Sequence, residues 1–277
     1  MSLQTHVASQ EFPCPQPITT SIRVGGGSIS VTVEDRPFAA VTVDPYDASD
    51  ASRQAADQTE ITFNGDRLRI EVPRTAAGRI FRRDGKVRVD VRIPLDSRFQ
   101  AQVGSADIRT EGRLAEAIVQ TGSGDTYVAQ TTGLFRAETG SGDVRADEVG
   151  ELRVNTASGD VSATLVAGEA SVRTASGDVE IADAKGAVRT NTASGDVQIR
   201  AARGNQVIIH TASGDAEVGV PAGTSVWLDL NTASGSTNSD LTMTGVPEQG
   251  AQLNIQVRTA SGDITLRRVG QPPTDGR

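Results

Sequence analysis

Leu152-Arg153-Val154-Asn155-Thr156-Ala157-Ser158-Gly159-Asp160-Val161 returns eighteen residues later as Ala170-Ser171-Val172-Arg173-Thr174-Ala175-Ser176-Gly177-Asp178-Val179. Up to the Thr, both copies alternate apolar and polar residues, the period of a strand with one buried face. Working outward, Thr-Ala-Ser-Gly recurs at Thr192, Thr211, Thr232 and Thr259, and Thr-Gly-Ser-Gly-Asp stands at Thr121 and Thr139. The threonines from Thr121 to Thr259 are 18, 17, 18, 18, 19, 21 and 27 residues apart. A weaker copy, Val103-Gly104-Ser105-Ala106-Asp107, precedes them, and Val24-Gly25-Gly26-Gly27-Ser28-Ile29 is a shorter echo.

The alternation assigns faces. Phe99-Ala101-Val103, Ala117-Val119-Thr121, Leu152-Val154-Thr156 and Ala170-Val172-Thr174 read as inward, continued by Val188-Thr190-Thr192, Val207-Ile209-Thr211, Leu228-Leu230-Thr232 and Ile255-Val257-Thr259. The position before each Thr is polar throughout, from Gln120 and Glu138 to His210, Asn231 and Arg258, so that row faces solvent. Val144, Val161, Val179, Val197 and Ile264 restart an inward strand after the turn, and Gly133, Gly150, Gly168, Gly186 and Gly204 mark a second bend. One such coil cannot bury its own apolar row, and stacking on neighbours does so. The predicted fold is all-β: a single-stranded parallel β-helix, or β-solenoid, of about nine ~18-residue coils, a shaft roughly 40 Å long. Right-handed crossovers are the default, although left-handed β-helices also use coils of this length.

Residues 1–17 read as a disordered start with a tag-like Met1-Ser2-Leu3, and residues 18–98 as a β-rich N-terminal cap. The cap's expected strands are Thr20–Val24, Ser28–Val33, Ala39–Val43, Glu60–Phe63, Arg67–Val72 and Val87–Ile93, with a short helix over Ala48–Gln58. Residues 99–268 are the coils, with an inserted loop near 237–250 announced by the 27-residue gap, and 269–277 form a disordered tail. Caps matter because a bare terminal coil offers unpaired N–H and C=O groups. The last strand, near Ile264–Arg268, has no evident cover.

The tandem Ser-Gly-Asp-Val turns resemble a bacterial β-strand-repeat family of unknown function, often labelled "putative adhesin". Val226-Trp227-Leu228-Asp229-Leu230-Asn231-Thr232 and Gly262-Asp263-Ile264-Thr265-Leu266-Arg267-Arg268 are similar to its actinobacterial members that lack an export signal. The resemblance spans residues 15–268. It implies a solenoid and no established activity, because fold does not fix function.

Composition agrees with a thin core: aromatics are 3% of the 277 residues, with Gly at 29 positions. Residues 1–100 hold 13 basic and 13 acidic residues, while 101–277 hold 14 and 22, which is the whole net charge of −8. An acidic shaft argues against nucleic acid or an anionic membrane as the main partner. The single Cys14 fits a reducing compartment. With no basic-then-apolar start and no run of 18 apolar residues, a cytoplasmic location is expected, envelope association remaining open.

Asp107, Asp125, Asp143, Asp160, Asp178, Asp196, Asp215 and Asp263 should form a ladder at one edge, with Ser236 breaking it. Its structural reading is turn chemistry, in which Asp and Ser accept backbone N–H bonds and Gly supplies positive φ. The alternative is a file of divalent cations, but calcium solenoids use shorter, Gly-Gly-rich repeats. We therefore assign no metal and no cofactor. A β-helix enzyme would need acids in one irregular groove, whereas these belong to the repeat. His6 lies in the start, His210 lies on the solvated row, and no Ser-His-Asp or Cys-His set exists. No enzyme activity is expected. Gly25-Gly26-Gly27 reads as a tight turn between strands rather than a phosphate loop.

Arg74, Arg79, Arg82, Arg83, Lys86, Arg88 and Arg92, against Asp84 and Asp90, give +5 in nineteen residues. This is either a solvated hairpin loop or a docking patch for an acidic surface. Trp227 and Tyr127 point outward by period-2 counting and are candidate contacts. The expected function is a non-enzymatic scaffold that binds a protein partner or itself through Arg79, Arg82, Arg83, Lys86, Tyr127 and Trp227. A glycan-binding adhesin, with cations along the Asp row, is the alternative, and a carbohydrate-active β-helix enzyme the weaker third.

Overall fold

The computed structural model describes residues 8–73, 85–241 and 252–270. The chain divides into two compact units, residues 1–143 and 144–277.

In residues 1–143 the elements run β1 (Ala8–Pro13), β2 (Thr19–Glu34), β3 (Phe38–Pro45), α1 (Asp50–Asp57), β4 (Glu60–Asn64), β5 (Arg67–Glu71), β6 (Val87–Pro94), β7 (Arg98–Leu114), β8 (Glu116–Thr121) and β9 (Thr126–Thr139). The parallel stack begins earlier than residue 99. β2 pairs in parallel with β7 along most of its length, from Thr19↔Arg98 to Thr32↔Glu111. β7 in turn carries β8 and β9 on its two halves. The expected boundary at residues 98/99 is therefore absent, because the apolar alternation of β2 (Ile22, Val24, Ile29, Val31) buries the same face as that of β7.

The cap is the far side of β2. Its first half pairs with β5 and its second with β6, both parallel. Beyond them the pairing turns antiparallel, β4 on β5 and then β3 on β6. β1 pairs antiparallel with β3, Phe12 opposite Ala39, so residues 8–13 are a strand and not part of a disordered start. Cys14 behind it is buried. α1 is capped by the Ser49 side chain, which accepts the Ser52 N–H. Gly25-Gly26-Gly27 is a bend inside the single strand β2, not a turn between two strands. Gly27 has φ 125°, and a Cβ there would stand 1.9 Å from the Val87 carbonyl oxygen, so only Gly lets the neighbouring strand approach.

In residues 144–277 the elements are β10 (Val144–Thr156), β11 (Val161–Val166), β12 (Ala170–Ser176), β13 (Val179–Ala184), β14 (Val188–Ser194), β15 (Val197–Ala202), β16 (Gln206–Ser213), β17 (Ala216–Pro221), β18 (Ser225–Ser234), β19 (Thr237–Ser239), β20 (Gln252–Ser261) and β21 (Ile264–Val269). Strands ahead of the Ser-Gly-Asp turn stack in one parallel series and those after it in another, the two joined through β10, which pairs with both β11 and β12. Each step adds inward residues in register: Leu152↔Ala170, Ala170↔Val188, Val188↔Val207. Ile181, Ile199 and Ile209 are fully buried, each such side chain contributing roughly 1.5–3 kcal/mol.

The stacking order departs from the order along the chain. β20 pairs with β16 on one side and β18 on the other, and β21 lies likewise between β17 and β19. The coil carrying Thr259 is thus inserted beneath the coil carrying Thr232. Among the described residues the uncovered coil is not the one ending near Ile264–Arg268 but β18–β19. That placement explains a second departure: Val226, Leu228 and Leu230 are half-buried, while their partners Leu253, Ile255 and Val257 are fully buried. The expected loop near 237–250 begins with strand β19, and its residues 242–250 lie outside the described residues.

Candidate interaction surfaces

The Ser-Gly-Asp edge is a hydrogen-bonded ladder. The backbone N–H of Asp125 donates to Oδ1 of Asp107 at 3.2 Å, and that of Asp143 to Asp125 at 3.0 Å. In residues 144–277 the N–H groups of Asp178, Asp196, Asp215 and Asp263 donate at 2.8–2.9 Å to the Asp of the preceding coil, starting from Asp160. Ser236, where the Asp row stops, still donates its N–H to Asp263 at 2.7 Å. These bonds offset the repulsion between stacked carboxylates, about 1 kcal/mol or more per pair in surface dielectric. The Ser236 N–H, then its hydroxyl, holds the Asp263 carboxyl below the usual carboxylate range. Among the described residues, no cluster of three His, Cys, Asp or Glu side chains could hold a metal ion.

The same motif closes its turn in two ways. In the Thr-Gly-Ser-Gly copies, Thr121 and Thr139 accept the N–H of Gly124 and Gly142 at 3.0 Å. In the Thr-Ala-Ser-Gly copies, Gly177, Gly195 and Gly214 have φ near 150°. Their N–H groups turn to the Ser carbonyl of the next coil at 3.0–3.1 Å. Among the described residues the buried hydroxyls of Thr174, Thr192 and Thr211 find no partner.

The candidate contacts scatter. Arg74, Arg79, Arg82 and Arg83 lie outside the described residues. Lys86 is exposed, its ammonium 5.7 Å from the Tyr46 ring. Tyr127 is half-buried under the Arg109 guanidinium, 4.5 Å from its ring centroid, so it is not a free aromatic anchor. Trp227 on β18 is 52% exposed. The Cys14 thiol has its pKa pushed up by burial, more than an Ala39 backbone bond and Arg36 lower it.

One surface was missed by residue-by-residue reading. On the sheet ahead of the turn, the register aligns two outward rows in residues 144–277. One reads Asn155, Arg173, Asn191, His210, Arg258, Asn231. The other reads Arg153, Ser171, Arg189, Ile208, Gln256, Asp229. Together they hold four arginines and one carboxylate. The signal was available by writing the copies in 18-residue rows; the acid excess over the whole segment hides it.

A family model described as Toastrack DUF4097 matches residues 20–267. Among solved structures, a "putative adhesin" from Bacteroides fragilis NCTC 9343 is 12% identical, covering 95% of this chain and 97% of its own, with a TM-score of 0.45. A "putative lipid binding protein" from Parabacteroides distasonis ATCC 8503 is 16% identical over 94% of this chain and 96% of its own, TM-score 0.46. A "putative cell adhesion protein" from Clostridium sporogenes ATCC 15579 is 11% identical over 95% and 100%, TM-score 0.27. No curated protein matches the chain. Among the described residues no helix is long and apolar enough to cross a membrane.

Proposed function

The chain belongs to the Toastrack DUF4097 family, and from that premise we propose that it is a non-enzymatic scaffold whose terminal coil, β18–β19, pairs with the same coil of a second copy. The observation that carries this reading is the edge of β18. Among the described residues β18 pairs only with β20, and its inward Val226, Leu228 and Leu230 stay half-buried.

Natural sheet edges are usually blunted by Lys, Pro or inward charge. Residues 225–234 contain no Lys, Arg or Pro. Their one charge, Asp229, is already met by Gln256 at 2.7 Å and Arg258 at 3.6 Å. A two-fold axis through Leu228 places Val226 against the partner copy's Leu230 in an antiparallel pair. Inward residues then meet inward residues, and the interface is isologous and closes at two. Trp227 lies beside that axis as an aromatic anchor.

Light scattering after size exclusion tests this. The chain should elute at twice its mass, independent of salt. Leu228→Lys, and separately the exposed Trp227→Glu, should each yield monomer with an unchanged β spectrum. A wild-type monomer across micromolar concentrations, or a dimer that survives both substitutions, would overturn the reading.

A further inference from the structure

Two arginines ahead of the turn, Arg173 and Arg189, differ from Arg200, Arg203 and Arg267 after it in having no carboxylate partner among the described residues. After the turn, Arg200 pairs with Glu180, Arg203 with Asp183 at 3.0 Å and Arg267 with Glu217 at 3.1 Å. Ahead of it, Arg173 and Arg189 are exposed and make no ion pair among the described residues. Arg153 reaches Glu151 only at 3.4 Å.

Register fixes their spacing. Arg153 stands opposite Ser171, Arg173 opposite Asn191, and Arg189 opposite Ser171 on the following coil. Arg153, Arg173 and Arg189 therefore zigzag one coil at a time between the two rows, and in the Arg153 row a cation recurs after two coils, at Arg189, roughly 10 Å away. Asn155 and Asn191 fill the alternate places, offering both a donor and an acceptor. A guanidinium fork suits a carboxylate or sulfate, and a neighbouring amide suits a hydroxyl.

We propose that this Arg–Asn face binds a linear acidic polysaccharide. Arg153, Arg173 and Arg189 take its anionic groups on successive coils, and Asn155 and Asn191 take the hydroxyls between. Two observations favour a glycan over nucleic acid. Trp227 is the only aromatic residue in residues 144–277, too few for a base-stacking platform. Among the described residues of 144–277 every element is also a sheet strand, with none standing out to enter a groove. The site is independent of the end-to-end pairing proposed above.

Affinity electrophoresis through polygalacturonate at low salt tests it, with neutral dextran, poly-glutamate and duplex DNA as comparison matrices. The wild type should be retarded by polygalacturonate and not by dextran, with retardation falling as salt rises. Arg173→Ala with Arg189→Ala should weaken binding about tenfold, as expected when charge-assisted forks are lost. Arg200→Ala with Arg267→Ala should change it less than about twofold, because those side chains already have partners. Leu228→Lys, which should abolish end pairing, should bind as the wild type does. No retardation of the wild type, equal loss in both double variants, or equal retardation by poly-glutamate or DNA would each overturn the proposal.

Discussion

The backbone N–H of Asp178 donates to the Oδ1 of Asp160 at 2.9 Å, and the Asp178 carboxylate accepts from Asp196 in turn at 2.8 Å. Each carboxylate is both a turn residue of its own coil and the acceptor for the next. Asp178→Ala should cost about 1 kcal/mol, because it strips the Asp196 N–H of its partner. Asp178→Asn, which keeps the oxygen, should cost less. Urea unfolding midpoints decide.

At the open end the ladder gives a pH dependence of defined sign. The Asp263 carboxyl is held below its ordinary range by the Ser236 N–H and hydroxyl. A depressed folded pKa means the stabilisation is complete above the unfolded value of about 3.9 and is lost as pH falls through the folded one. Ser236 follows β18, which carries Trp227. Trp227 fluorescence should therefore change on acidification below about pH 4, and Asp263→Asn should remove that component.

Two kinds of buried threonine should respond oppositely to loss of the hydroxyl. Thr192→Val removes a buried oxygen without a partner and should be neutral or stabilising. Thr121→Val removes the acceptor of the Gly124 N–H and should cost about 1 kcal/mol. Thermal melts of the two variants, read as a pair, check the division of the turns into two classes.

The inserted coil can be tested by cross-linking. His210 stands beside Arg258, and Arg258 beside Asn231. Stacked neighbours roughly 4.8 Å apart are within disulfide reach, and positions two coils apart, roughly 10 Å, are not. Oxidised His210→Cys/Arg258→Cys and Arg258→Cys/Asn231→Cys should each cross-link. His210→Cys/Asn231→Cys should not, and would do so only if the coils stacked in chain order.

Much of this fold is visible in the alternation around Thr156, Thr174 and Thr192, because a half-buried strand must alternate and a stacked coil must repeat. The stacking order was not legible. Thr211, Thr232 and Thr259 carry the same Thr-Ala-Ser-Gly and the same apolar pattern, so their interfaces are interchangeable on paper, and the gaps of 21 and 27 residues and Ser236 in the place of Asp were the hints. β1 was hidden because Ala8–Pro13 lacks strict alternation and borrows its order from β3. For the surfaces, outward placement of His210 and Trp227 could be counted from sequence, since period 2 fixes the side. The pairing of Arg200 with Glu180 and the isolation of Arg189 could not, because both depend on which strand lies next door.

The insertion of β20–β21 beneath β18–β19 sets synthesis against assembly. Residues 225–239 leave the ribosome before residues 252–269, yet their proper seat does not exist until the later segment arrives. Meanwhile the exposed edge of β16 offers β18 an apolar row of the same spacing. A nascent chain that docks β18 there must release it again before β20 can enter, so at this end the order of synthesis and the order of stacking differ.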